Sequence, residues 1–309
     1  MPTHNEAPVL LIIFNRPDTT KQVFEAIRRA KPPKLYVSAD APRPGNEQDY
    51  VNCSKAREIV KNVDWVCNVQ YRFLNQNLGC GYGPATAISW AFENEDRLII
   101  LEDDCVPSLP FFDFCNHCLE TYANDTRVWI VSGRSHHENS KYFEDQDYIF
   151  SHYGHTWGWA TWKRCWNQFD IDMKKWNDFI SQGGFLNSFY SKKEGAFYNN
   201  FYRKLATDKN LSKHVWDYQH VLGIHLNGGL SITPAKNLIE NIGSIGTHST
   251  HQQRCHLLKA AEDFSIKKEP LSVLANREYD YMHFRTHIYY PTSLIPRVIN
   301  KILRTLNLK

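Results

Sequence analysis

Strand-length apolar runs alternate with helix-length stretches over the first hundred residues, and this alternation constrains the fold more than any other feature. Val9-Leu10-Leu11-Ile12-Ile13-Phe14 reads as a buried strand, and Asn15-Arg16-Pro17-Asp18 turns the chain into a helical stretch through Ala30. Leu35 to Ser38 is a second strand. After the turn-rich loop Ala39 to Gly45, a helical segment from Glu47 to Lys61 leads to a strand between Val66 and Phe73. The loop Asn75 to Gly83 opens a helix that ends before Arg97, and Leu98 to Leu101 is the next strand. Such an order predicts βαβ units and a mostly parallel sheet, an α/β fold. Past it, Phe111 to Tyr122 reads as helix and Val128 to Ser132 as strand. The second half is less regular, and no repeat or low-complexity linker splits it off.

At 309 residues and 42% hydrophobic composition the chain supports a substantial core. A net charge of +3, with both signs interspersed, gives no broad nucleic-acid footprint. No secretory signal precedes the eight scattered cysteines, so reduced thiols in a cytoplasmic protein are expected. Cys115-Asn116-His117-Cys118 has half the spacing of a zinc site but no second pair, and reads as a buried structural pair. No apolar run reaches the ~20 residues that span a bilayer. From Leu294 to Lys309, however, Arg297, Lys301, Arg304 and Lys309 alternate with Ile and Leu. That is a basic amphipathic helix, suited to an anionic membrane surface or to docking on its own domain.

The strand Leu98 to Leu101 runs straight into Glu102-Asp103-Asp104. Ligands of open α/β sheets bind beyond the carboxyl ends of strands. A hard divalent ion holding a diphosphate takes one or two carboxylates plus phosphate oxygens. The triplet therefore points to a nucleotide-diphosphate site, the alternative being a solvated acidic turn. In extended geometry Glu102 and Asp104 face one side and Asp103 the other.

Other segments carry chemical potential. Gly79-x-Gly81-x-Gly83 departs from the dinucleotide fingerprint, which disfavours a dehydrogenase, yet its glycines permit a close backbone approach to a ligand at a helix start. Asp40 follows the second strand, where it either accepts from a base or ribose hydroxyl or bonds its own turn. Trp159, Trp162 and Trp166 recur at helical spacing and read as a core stripe, whereas Trp157, beside Gly158, is placed to stack on a sugar or base. Asp217 sits among the rings of Trp216 and Tyr218, a setting that raises a carboxyl pKa and suits a general base, although a helix cap uses the same residue type. The loop Asn241 to Ser249 brings a histidine, His248, that either closes over phosphates, completes a metal shell or belongs to an ordinary surface loop.

Taken in order, these segments resemble the GT-A-fold glycosyltransferases, most of all the N-acetylglucosaminyltransferase I family and its bacterial family 2-like relatives. Phe14-Asn15-Arg16, Val37-Ser38-Ala39-Asp40, and Leu101-Glu102-Asp103-Asp104 with Leu109-Pro110-Phe111-Phe112 carry the likeness. Trp129 to Ser132, Gly158-Trp159, Trp216-Asp217 and the Gly243 to His248 loop then follow in sequence, over roughly residues 8 to 250. The resemblance implies a Rossmann-like nucleotide-diphospho-sugar transferase domain over residues 1–270. Its nucleotide-binding half would span 8–135 and its acceptor half 136–270, with a C-terminal extension over 271–309. It implies that Arg16 and Asp40 contact the nucleotide, that Asp103 meets the ribose, and that Glu102 lies near the donor sugar; Asn15 of the matched strand end is counted with the donor site, as are Gly79 and Trp157 as read above. Asp104 would bind manganese or magnesium, with His248 the candidate read above to complete the metal shell, and Asp217 would be the catalytic base of an inverting transfer from a UDP-sugar to a saccharide hydroxyl. One departure stands out: where the family carries a histidine in the helix before the metal strand, this chain has Ala87.

The eukaryotic members carry an N-terminal membrane anchor, and this chain begins almost at its first strand. The expectation is a cytoplasmic enzyme, resting on the inner membrane face through its basic tail and acting in polysaccharide or lipid-linked glycan assembly. A sugar-1-phosphate nucleotidyltransferase would need a glycine-rich basic loop after the first strand, which Asn15 to Thr19 is not. A non-catalytic carbohydrate-binding protein would use the tryptophans without metal or base.

Overall fold

The computed structural model describes residues 6–208, 213–243 and 258–289. The first half follows the predicted alternation: β1 (Val9–Ile13), α1 (Pro17–Ala30), β2 (Lys34–Ala39), α2 (Glu47–Val60), β3 (Asn68–Phe73), α3 (Gly79–Ala91), β4 (Arg97–Glu102), β5 (Cys105–Pro107), α4 (Leu109–Thr121) and β6 (Val128–Ser132). The second half adds β7 (Tyr148–Ser151), β8 (Trp159–Trp162), α5 (Lys163–Trp166), α6 (Asn177–Ser181), α7 (Lys192–Thr207), α8 (Asp217–Leu226), β9 (Leu230–Pro234), β10 (Ile239–Asn241) and α9 (Arg277–His283).

The large sheet has the order β3-β2-β1-β4-β8-β6-β9-β7. It is α/β and mixed but mostly parallel: β1 pairs parallel with β2 and β4, β2 with β3, and β6 with β9, while β8 and β7 pair antiparallel to their neighbours. Every residue of β1 is buried, as expected for a strand covered on both faces, which explains an unbroken apolar run in place of alternation. Helix α1 starts with Pro17 in its first turn, buries Thr20, Val23, Phe24 and Ile27 at helical spacing, and ends where Lys31 takes a left-handed conformation. The register sets Ile12 opposite Glu102 and Ile13 opposite Ala39, so β1, β2 and β4 end at one edge.

Two expectations change. Trp159 and Trp162 do not share a helix face: they lie on β8, three residues apart, and therefore point to opposite sides of the sheet. Trp159 stacks on Trp216 at 5.7 Å between ring centroids, and Trp162 donates to the carbonyl of Leu119 in α4 at 3.1 Å. Both are buried, because the sheet is covered on both sides, so the core role stands while the helix does not. The acidic triplet is not extended throughout either. The strand ends at Glu102, and Asp103-Asp104 form a tight turn into β5, which cancels the expected alternation of faces. Cys115 and Cys118 are buried free thiols in α4. The basic segment from Leu294 to Lys309 and His248 lie outside the described residues. Among the described residues, no helix is long and apolar enough to cross a membrane.

Candidate functional site

A cavity of about 460 Å³ opens at the shared carboxyl edge of β1, β2 and β4. Asn15 and Arg16 from the β1–α1 turn, Asp40 from the end of β2, Gly79 from the start of α3, and Glu102, Asp103 and Asp104 all line it. Its position follows from the parallel register, which delivers the ends of neighbouring strands to one place.

Arg16 organises the acids. Its Nη1 donates to Asp104 Oδ2 at 2.8 Å and its Nη2 to Asp103 Oδ1. Burial works against the guanidinium charge, but the two carboxylates outweigh it and push Arg16 above its ordinary range. Asp103 is buried, and its second oxygen accepts from the Phe14 amide at 3.1 Å. Glu102 is different: its carboxylate forms no ion pair with a described residue. Burial and the adjacent charges of Asp104 and Asp103 push it up to about 8, against the pull of Arg16, with Asp217 adding to the rise.

A two-stranded antiparallel ribbon of β5 and β10 backs the triplet. The Ile242 amide donates to the Asp104 carbonyl at 2.8 Å, which brings Gly243 against the Asp104 side chain. A Cβ on Gly243 would stand 2.1 Å from Asp104 Oδ2, so only glycine permits this approach.

Asp40 lines the cavity, but its carboxylate is engaged. One oxygen accepts from the amides of Ala41 (2.8 Å) and Leu78 (2.9 Å), and the other from Gly79 (2.9 Å) and the Asn77 side chain (3.2 Å). It clamps β2 to the start of α3, combining the turn-bonding role with support of the glycine-containing loop. Gly79 adopts φ +74°, a conformation that glycine tolerates best. Asn15 likewise reaches inward, donating to Asp49 at 2.7 Å.

Asp49 and Arg43 are site-supporting residues the sequence reading missed. Asp49 is buried and held down to about 2 by its bonds to Arg43, whose guanidinium lies 5.7 Å from the Phe14 ring centroid. The available signal, Asn46 followed three residues later by an acid, suggests a helix-capping pattern, and Asn46 does accept from the Asp49 amide. It gives no hint that the Asp49 carboxylate turns back to the cavity wall.

Asp217 is the first residue of α8, with Trp216 in the cap position. Burial raises its carboxyl, with the amides of Tyr218 and Asp217 opposing, and its charge is felt by Glu102 and by Cys80 on the cavity wall. Trp157 stands apart. Its ring packs against the main core under the Arg134 guanidinium, 5.5 Å from the centroid, and it does not line the cavity. Ala87 is fully buried in α3.

No protein-family model and no curated protein matches this chain. Among solved structures it is similar to HddC from Yersinia pseudotuberculosis, at 14% identity and a TM-score of 0.33, over 53% of this chain and 80% of that one. A second structure of HddC from Yersinia pseudotuberculosis, complexed with GMP-PN, matches at 12% identity and a TM-score of 0.32, over 52% and 78%. Likeness at this level assigns neither fold family nor activity.

Proposed function

We propose that this chain is a metal-dependent, inverting glycosyltransferase of the GT-A type, moving a sugar from a nucleotide-diphosphate donor, a UDP-sugar foremost, to a saccharide hydroxyl. The observation that carries this reading is the unbalanced acidic cluster. Asp103 and Asp104 share Arg16, and Glu102 pairs with no cation among the described residues, at the carboxyl edge of a mostly parallel sheet beside a cavity within the roughly 300–1,000 Å³ of small-molecule sites. A carboxylate whose pKa is raised by burial and by its neighbours' negative charge is a place where a divalent cation lowers the free energy.

The residues fit a hard cation. Asp104 and Glu102 would hold Mn²⁺ or Mg²⁺, with His248 as a further candidate. Bound there, the ion supplies positive charge to the departing diphosphate. Asn15, Arg16, Asp40 and Gly79 would shape the nucleotide wall, and Asp103 would hold Arg16 while facing the ribose. Asp217, raised by burial, would take the proton of the acceptor hydroxyl as its oxygen bonds the anomeric carbon and the bond from that carbon to the diphosphate breaks. A saccharide or lipid-linked saccharide acceptor in glycan assembly, at the inner membrane face, completes the proposal.

Calorimetric titration of UDP, GDP, dTDP and CMP, with and without Mn²⁺, tests it. Manganese-dependent binding of one nucleotide, abolished by Asp104→Ala, is expected, and Asp217→Asn should keep that binding while losing transfer. Failure of every nucleotide to bind with metal present would remove the proposal. Saccharide binding indifferent to both substitutions would mark a carbohydrate-binding protein instead.

A further inference from the structure

Away from the cavity, five histidines converge where the chain's last described helix meets the loops after β6 and β7. His283 and His287, one helical turn apart, stack with centroids 4.9 Å apart and planes 7° from parallel. His137, from the loop after β6, lies 4.8 Å from His287 and 5.7 Å from His283. His136 and His155 close the group, each ring 4.4 Å from the other, with His155 4.8 Å from His283.

We propose that His137, His283 and His287 form a binding site for a nitrogen-seeking divalent cation of the zinc class, which fastens the C-terminal helix to the sheet. One ligand nitrogen from each lies within 4.8 Å of the others. Nitrogens bound tetrahedrally at about 2.1 Å stand about 3.4 Å apart, so small side-chain rotations close the site. The second indication is the polar inventory. His283 is fully buried, and neither of its ring nitrogens has a hydrogen-bond partner. Nδ1 of His136 and Nε2 of His155 are buried without one as well. Buried polar atoms in native proteins are nearly always satisfied, and a bound ion is one way of doing so.

Thr286 lies between two of the ligands. Thr286 Oγ1 donates to the Met282 carbonyl at 2.7 Å and so meets its histidine neighbours with lone pairs only. It lies 2.8 Å from His287 Nδ1 and 3.3 Å from His137 Nε2, an oxygen placed to orient both rings. His287 lies in a π-helical turn, Phe284–Ile288, a distortion often found at functional sites.

The donor set also selects the ion. Three imidazoles with no carboxylate suit zinc, copper or nickel, in contrast to the oxygen ligands of the acidic cluster. Arg134, whose charge reaches His136, His155 and His287, disfavours weakly bonded hard cations further.

The test uses the full chain, stripped with chelator and titrated with Zn²⁺ and, as a visible-absorbing probe, Co²⁺. One equivalent with ligand-field bands of nitrogen coordination and a raised melting temperature is expected, besides any ion held by the acidic cluster. Asp104→Ala should retain it, while His287→Ala and His137→Gln, both at incompletely buried positions, should each weaken it at least tenfold while keeping the metal-free melting temperature near that of the parent. Absence of stoichiometric binding by the parent chain would overturn the proposal. So would binding that survives both histidine substitutions, or that is lost in Asp104→Ala and kept in His287→Ala.

Discussion

Glu102 is the residue on which the reading of the cavity turns, and its titration makes a signed prediction. Its folded-state pKa, about 8, exceeds its ordinary value of 4.5, so between these values the folded chain binds the extra proton and the unfolded chain does not. Stability from this group is therefore fully present below pH 4.5 and is lost as pH rises toward 8. Melting temperature followed from pH 5 to pH 8.5 should fall less steeply for Glu102→Gln than for the parent, and Mn²⁺ should reduce the parent's fall. Identical slopes for both chains would show that Glu102 ionises normally. Gly243 tests the same cluster sterically. In Gly243→Ala the new methyl meets Asp104 Oδ2 at 2.1 Å and Arg16 Nη1 at 3.1 Å, so Asp104 must move. Calorimetry should register Mn²⁺ affinity about 10–100-fold weaker, the size of effect seen when the support of a ligand is disturbed. Unchanged affinity would place the ion elsewhere.

At the scale of elements, the first half was legible because a covered parallel strand and an amphipathic helix each leave a local hydrophobic signature. The observed bounds of β1, α1, β2 and α2 differ from those read in the sequence by a residue or so. The second half was not, because its elements are defined by distant partners: β8 is a strand through pairing with β4 and β6, against a tryptophan spacing that reads as helix. The coupling of α3 to α8 is equally non-local. Gly81 in α3 lies so close to the segment before α8 that an added Cβ would stand 2.2 Å from the Lys213 carbonyl oxygen. Gly81→Ala must push back the segment that leads to Asp217, and a misplacement of about 1 Å costs a reaction about 10²-fold. With Asp217 as the proposed base, transfer should therefore fall to at least that degree, and nucleotide affinity should weaken too, because Cys80 and His214, which flank this contact, both line the cavity. Transfer rates equal to the parent's would show that Asp217 is not positioned through this contact.

For the whole molecule, the acidic triplet announced the cavity from sequence, but not the second aromatic cluster that supports the proposed base. Tyr153, Phe185, Tyr198, Tyr202, Leu222 and Phe284 form that cluster from segments spread over more than a hundred residues, a grouping only tertiary structure creates. Helix α8 lies between the two cores, giving Ile224 to the sheet cluster and Leu222 to the aromatic one. The strand ends that form the proposed donor wall belong to the first core, whereas α8, which starts at Asp217, touches both. Phe284 is 3% exposed, and truncating such a ring costs about 3–5 kcal/mol. Phe284→Ala should thus lower the urea midpoint and speed amide exchange in α7 and α8, leaving β1, β2 and β4 protected and Mn²⁺-dependent nucleotide binding intact. Transfer should drop, because the base is held less firmly while the donor is held as before. Exchange that rises equally in β1 and α8 would show the two clusters to be one cooperative unit, and would end the division of labour between donor wall and base.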